Sequence, residues 1–314
     1  MNLIFGYIKY NIYIKFILIF TSIILFRILF HYYKKDNLFF EYENAKNKEY
    51  CKSNALLVYD YVYSLQKPHK YVNIGDYIQS LAALQYIPKK CKPIFIERDT
   101  IQYYYGPKAK LIMNGWFNIQ EGNKYPSDSI NPIYISYHLE KSINDNSMVQ
   151  QLKKSQPIGC RDKFSLNLLL KHDIQAYFSS CLTTTLDITS FQKESYRNNE
   201  ILFTDYKFGY YEKADKYIQN LKAYNFSNIT FLTHEYSTNL NHIERFKIAN
   251  NLLKKYARAK LVITTRIHSA LPCLALKTPA ILINKIYDKY RFDGLYELLN
   301  TIGIIVFITN IIMF

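Results

Sequence analysis

The sequence holds four short segments where charged, hydroxyl or imidazole side chains gather at a change from strand-like to helix-like patterning. In residues 259–270 an apolar, β-prone run ends in Thr264, Thr265 and Arg266, and a small-residue helical pattern with His268 near its start follows. An arginine beside a helix N-terminus can hold an anion, because open backbone N–H groups favour negative charge there. Histidine exchanges protons near neutrality at its ordinary pKa, so His268 is a candidate acid or base; a structural histidine is the competing reading. Residues 157–163 approach through apolar positions, reach Gly159, and open a helix with Arg161 and Asp162. The planar fork of Arg161 suits a carboxylate or phosphate, the alternative being a structural pair with Asp162. In Asn73-Ile74-Gly75-Asp76, Gly75 permits a tight turn, Asp76 is placed to cap a helix or to hold a sugar hydroxyl, and Asn73 and Gly75 flank N–H groups that can meet a substrate anion. A plain strand–turn–helix junction would look the same. Residues 179–185 collect hydroxyls, Thr183 among them, at a strand end, either as donors to phosphate or sugar oxygens or as a hydroxyl-rich turn.

The elements that must carry these segments alternate. Residues 56–63, 93–97, 111–113 and 133–137 read as strands, with helices over 77–86 and 163–171, the latter capped by Asp162. The second half repeats the rhythm: strands over 201–204, 229–233, 261–265 and 280–283, and helices over 211–223, 242–256 and 268–276. Such alternation implies parallel sheets with helices on both faces. Two lobes of this kind form a cleft, with ligands at the carboxyl ends of the strands.

The chain has 314 residues and a formal net charge of +15. Its lysines are dispersed, so the basic balance is either a bias in residue usage or suited to acidic lipid or phosphorylated substrates; no nucleic-acid motif occurs, and DNA or RNA is not expected. The five cysteines, Cys51, Cys91, Cys160, Cys181 and Cys273, have neither zinc-site spacing nor the density of a disulfide framework, which fits a reducing compartment. Residues 10–33 are apolar enough to cross a bilayer once, with Lys15 and Arg27 snorkelling to the two faces. A slight excess of basic residues after this stretch places the catalytic portion on the cytoplasmic side. The resulting division is a membrane anchor over 1–35, a linker over 36–52, an N-terminal α/β lobe over 53–190, a C-terminal α/β lobe over 191–300 and an apolar tail over 301–314. The tail is expected as a last buried strand or an altered end.

Taken in order, NIGDYIQSLAA, MNGW, PIGCRD, SSCLTTTL, TTRIHSALPCLAL and RFDGL make residues 55–298 resemble the polysaccharide pyruvyl transferase family. The resemblance implies two Rossmann-like lobes similar to a B-type glycosyltransferase. It also implies transfer of a pyruvyl group from phosphoenolpyruvate to two sugar hydroxyls, without metal or nicotinamide. By the same resemblance, Arg161 and the Arg266-Ile267-His268 segment would hold the donor. The chemistry then needs an acid for the donor methylene and a base for the sugar hydroxyl; His268 is expected in one of these roles, with Asp76 as a sugar contact or base. A membrane anchor would suit a cell-surface polysaccharide or a lipid-linked acceptor. Two other readings use the same residues: a B-type glycosyltransferase with a nucleotide sugar, and an inactive glycan-binding membrane protein.

Overall fold

A computed structural model describes residues 53–59, 71–89, 91–117, 125–139, 143, 146–192, 197–206, 228–284, 290–299 and 301–303. The first half runs β1 (Asn54–Val58), β2 (Val72–Asn73), α1 (Ile74–Leu84), β3 (Ile94–Glu97), β4 (Ala109–Ile112), β5 (Gly115–Phe117), β6 (Ile130–Ile133), β7 (Tyr137–Leu139), α2 (Asn146–Lys154), β8 (Ile158–Cys160), α3 (Lys163–Leu170) and β9 (Ala176–Phe178). The second runs β10 (Ile201–Thr204), β11 (Ile229–Leu232), β12 (Glu235–Tyr236), α4 (His242–Arg258), β13 (Leu261–Thr264), α5 (Ile267–Ala275), β14 (Ala280–Asn284) and β15 (Thr301–Gly303). Three parallel sheets result, in the orders β3-β1-β4-β6, β5-β7-β8-β9 and β11-β10-β13-β14-β15. The α/β class with parallel sheets is therefore as the sequence pattern predicts. β1 and β10 are apolar and almost wholly buried, as strands covered on both faces must be.

A fourth, antiparallel ladder joins the halves: β2 pairs with β12, setting Asn73 opposite Glu235 and Val72 opposite Tyr236. Beside it, α1 packs along α4. Burial explains this helix pair. Every residue of α1 except Asp76 is buried, and α4 buries Phe246, Ala249, Leu252, Leu253 and Tyr256 at helical spacing while its capping box, Asn241 with Glu244, fixes the start.

Several expectations need correction. The helix after Asn73 begins at Ile74, so Gly75 and Asp76 lie inside its first turn, and Asn73 is the N-cap, its side chain accepting from Gly75 N at 3.1 Å. Residues 133–137 are not one strand. β6 ends at Ile133, Ser136 takes a left-handed conformation (φ 60°), and β7 starts at Tyr137 in a different sheet. The run at 182–185 is a short 3-10 turn rather than a strand end. Cys91 is disulfide-bonded, while Cys160, Cys181 and Cys273 are free and buried; a disulfide belongs to oxidising compartments, so the cysteines no longer support a reducing one. The expected helix over 211–223, the anchor over 1–35, the linker over 36–52 and the tail beyond residue 303 lie outside the described residues. Among the described residues no helix is long and apolar enough to cross a membrane.

Candidate active site

The first turns of α1 and α5 meet. A Cβ placed on Gly75 would lie 3.0 Å from His268 Cβ, from His234 Nδ1 and from Asn73 Oδ1. Glycine is needed here for close approach between helices, not for an unusual backbone angle. The contact brings Asp76 Oδ1 to 4.0 Å from His268 Nδ1, while the same oxygen accepts from Gln79 Nε2 at 3.1 Å. His268 is buried, and its Nε2 has no hydrogen-bond partner. Burial, then the charges of Arg161, His234, Arg291 and Arg266, push its pKa well below the usual histidine value. His268 is therefore a neutral imidazole at neutral pH, a proton acceptor rather than a stored acid. This corrects the expectation of free exchange near neutrality. The N-cap of α5 is Arg266, whose side chain makes no capping bond, so the first N–H groups of this helix stay open to an anion.

Three arginines act electrostatically on His268. Arg161 follows β8 and is the largest fully buried side chain. Its Nε lies 3.6 Å from Asp162 Oδ2 and makes no hydrogen bond. Asp162 faces elsewhere: Oδ1 accepts from Ser165 N at 2.9 Å as the cap of α3, and Oδ2 meets His138 Nδ1 at 2.5 Å. The Arg161–Asp162 pair is thus incomplete, and burial lowers the guanidinium pKa. A buried guanidinium with an unfilled donor is costly unless an anion completes it. Arg266 is fixed from two sides, Nε donating to Asp205 Oδ2 at 2.7 Å and Nη2 to Glu235 Oε1 at 2.6 Å. Burial works against its charge, but Asp205 and Glu235 outweigh that and raise its pKa. Arg266 and Asp205 stand at the carboxyl ends of β13 and β10. The sheet reverses its direction of growth between these strands, which is where open α/β sheets bind ligands.

The third arginine, Arg291, comes from the RFDGL segment and was not among the predicted site residues. It is exposed, lies 5.9 Å over the Trp116 ring, and makes no ion pair with a described residue. The arginine of the motif was the available signal, but nothing in the sequence links it to Trp116. Of the remaining predicted residues, Asn73 is occupied as a cap. Thr183 is buried, with its hydroxyl on Cys181 Sγ at 3.2 Å. Thr184 and Thr185 donate to the carbonyls of Cys181 and Leu182, each at 2.8 Å, closing the 3-10 turn that packs on α5. The donor in this run left without a partner is Ser180, buried at Oγ and held at φ 59°. Ser136, Ser180 and Asp205 are all left-handed non-glycine residues on short links after strands, strain of the sort that accumulates at functional sites.

Parallel sheets with Arg161 and Arg266 just past strand ends, a neutral imidazole and an uncapped helix N-terminus describe an α/β protein whose groups suit an anion. The family model for polysaccharide pyruvyl transferase matches residues 73–284, which takes in Asp76, Arg161, Arg266 and His268. The chain belongs to that family, and it is accordingly a transferase acting on a polysaccharide or sugar acceptor. No curated protein matches it. Among solved structures, an uncharacterized protein from Klebsiella pneumoniae subsp. pneumoniae is similar at 13% identity, covering 81% of this chain and 95% of that one, with a TM-score of 0.46.

Proposed function

We propose that this protein moves a pyruvyl group from phosphoenolpyruvate to two hydroxyls of one sugar, in a cell-surface polysaccharide or its lipid-linked precursor, forming a ketal. The observation that supports the reading is Arg266 at the uncapped start of α5 beside His268, an imidazole that Arg161 and Arg291 also act on electrostatically. Phosphoenolpyruvate presents a carboxylate at one end and a phosphate at the other, so it needs more than one cation held at fixed positions. Arg266, clamped by Asp205 and Glu235, offers a preset donor with Nη1 remaining. Arg161 offers a buried one, and Arg291 one that reaches in from solvent. The donor supplies the transferred group, so no further cofactor is required. The scaffold is read as two lobes of the B type, with residues 1–35 holding the chain at the membrane.

In this reading Asp76 orients the Nδ1 side of His268, leaving Nε2 to accept a proton from a sugar hydroxyl. The test is phosphate release from phosphoenolpyruvate in the presence of a panel of nitrophenyl and lipid-linked hexosides. Acceptor-dependent release is expected, and Arg161→Ala should lower it by at least about 100-fold, as loss of a preorganised charge donor does. Release that ignores the sugar, or a protein that binds nucleotide sugars in place of phosphoenolpyruvate, would move the assignment to a B-type glycosyltransferase.

A further inference from the structure

A second carboxylate–imidazole pair exists, and it is tighter than the one at His268, where Asp76 Oδ1 stands 4.0 Å from Nδ1. His138, on β7, is 1% exposed. Its Nδ1 meets Asp162 Oδ2 at 2.5 Å, with Ser165 Oγ at 3.3 Å from the same nitrogen. The carboxylate fixes the proton on Nδ1 and leaves Nε2 as an acceptor. That Nε2 is buried and has no partner, as is true of His268 Nε2. Each imidazole therefore has a carboxylate on its Nδ1 side, Asp162 for His138 and Asp76 for His268, and a vacant acceptor on the other. The two share surroundings: Arg161 and Arg291 are charged neighbours of both. Strand register agrees, since Tyr137 lies opposite Cys160, which places His138 and Arg161 one residue further along adjacent strands. On the other side His138 lies opposite Trp116, the ring beneath Arg291.

We propose that His138, oriented by Asp162, is a catalytic residue that takes the proton of one of the two acceptor hydroxyls, while His268 serves the other. This rests on the pyruvyl-transfer reading above; the third imidazole with an unpartnered nitrogen, His234, is set apart because its other nitrogen meets the hydroxyls of Tyr256 and Ser269 rather than a carboxylate. Ketal formation makes two C–O bonds to C2 of the donor. The C3 methylene gains a proton and becomes a methyl group, the first sugar oxygen bonds to C2, the C2–O bond to phosphate breaks, and the second sugar oxygen bonds to C2. Two hydroxyl protons are lost: the one taken by His268 is passed on to C3, and the one taken by His138 leaves on hydrogen phosphate. One imidazole for each hydroxyl lets both be deprotonated without either base being recycled during the reaction. It also sets the substrate class, since the acceptor must offer two hydroxyls close enough to close one ring on C2, one facing β7 and the other facing α5.

The experiment uses the full chain and compares wild type, His138→Asn and His138→Gln. Asparagine can keep an N–H near the Nδ1 position for Asp162 but has no atom at Nε2. Phosphoenolpyruvate binding is followed by calorimetry and by the rise in melting temperature, and turnover by phosphate release with the nitrophenyl hexoside panel. The expected result is donor binding as in wild type in His138→Asn, with turnover lower by at least about 100-fold, the span of a lost proton-transfer group. Near-normal turnover in His138→Asn would show that His138 only braces Asp162 and would overturn the proposal while leaving the pyruvyl-transfer reading intact. If wild type neither binds phosphoenolpyruvate nor releases phosphate, the donor assignment itself falls and this proposal with it. If neither variant folds, a crystal structure of wild type with donor and a hexoside decides: a hydroxyl within hydrogen-bond distance of His138 Nε2 supports the role, and a ring facing only protein removes it.

Discussion

His138, His234 and His268 are buried and held neutral by their surroundings. Burial is the leading cause for each, lowering the pKa of His138 from 6.5 to about 4 and moving His234 and His268 in the same direction. Below pH 6.5 the unfolded chain takes up protons that the folded chain refuses. Stability is therefore full above that value and is lost as pH falls toward about 4. His138 contributes roughly 3 kcal/mol of this loss, His234 and His268 add to it in the same direction, and thermal melts across that interval should show a steep decline. Replacing His234 with Asn, which titrates nowhere in the range, should flatten part of it. Gly75 gives a second test at this scale. Gly75→Ala adds a Cβ 3.0 Å from His234 Nδ1 and His268 Cβ. The overpacking is expected to cost about 1–3 kcal/mol and to lower turnover more than donor affinity, because the displaced atoms belong to the proton acceptor. Arg161, Arg266 and His268 were legible in the sequence because each follows a strand-like run and opens a helix. His138 was not, because its partner Asp162 lies 24 residues away and only the β7–β8 pairing brings them together.

Helix boundaries are legible in the sequence wherever the cap is visible as a residue type. Asp162 opens α3 as expected, and α4 and α5 begin within a residue of their predicted starts. Asn241→Ala, which removes the capping box of α4, should lower stability by about 1 kcal/mol and leave phosphate release unchanged, since Asn241 is exposed and distant in role from the site. Asp162→Ala should cost more, and should also impair turnover, because one carboxylate caps α3, hydrogen-bonds His138 and stands 3.6 Å from the Arg161 guanidinium. Paired melting and turnover measurements separate the two caps. The start of α1 was misplaced because Gly followed by Asp has the composition of a turn and a cap, whereas the cap is Asn73 and the glycine is required by a neighbouring helix. The break between β6 and β7 was missed for a related reason: a left-handed serine has no distinguishing neighbours in the sequence.

Across the whole molecule, the halves are joined at the site itself. Asn73 caps α1 and pairs in the ladder with Glu235, which holds Arg266. Behind that ladder the buried Arg245 of α4 donates to Tyr59 O at 2.7 Å, to Tyr77 OH at 3.0 Å and to Thr238 O at 2.8 Å. None of these long-range pairings could be read from composition, and neither could the bonding of Cys91, which depends on proximity rather than spacing. In denaturant, Cys91 is expected to resist alkylation until a reductant is added, while Cys160, Cys181 and Cys273 react at once; peptide mass mapping distinguishes them. The cation pair over Trp116 has a use of its own. The chain holds one tryptophan against 31 tyrosines, and that indole lies 5.6 Å from the Arg98 guanidinium and 5.9 Å from that of Arg291. Excited at the red edge, where tyrosine is silent, the protein emits from one ring flanked by the buried Arg98 and the exposed Arg291. Donor arrival can then be timed from the intrinsic fluorescence of the unlabelled protein, with Arg291→Ala as the variant in which the signal should vanish.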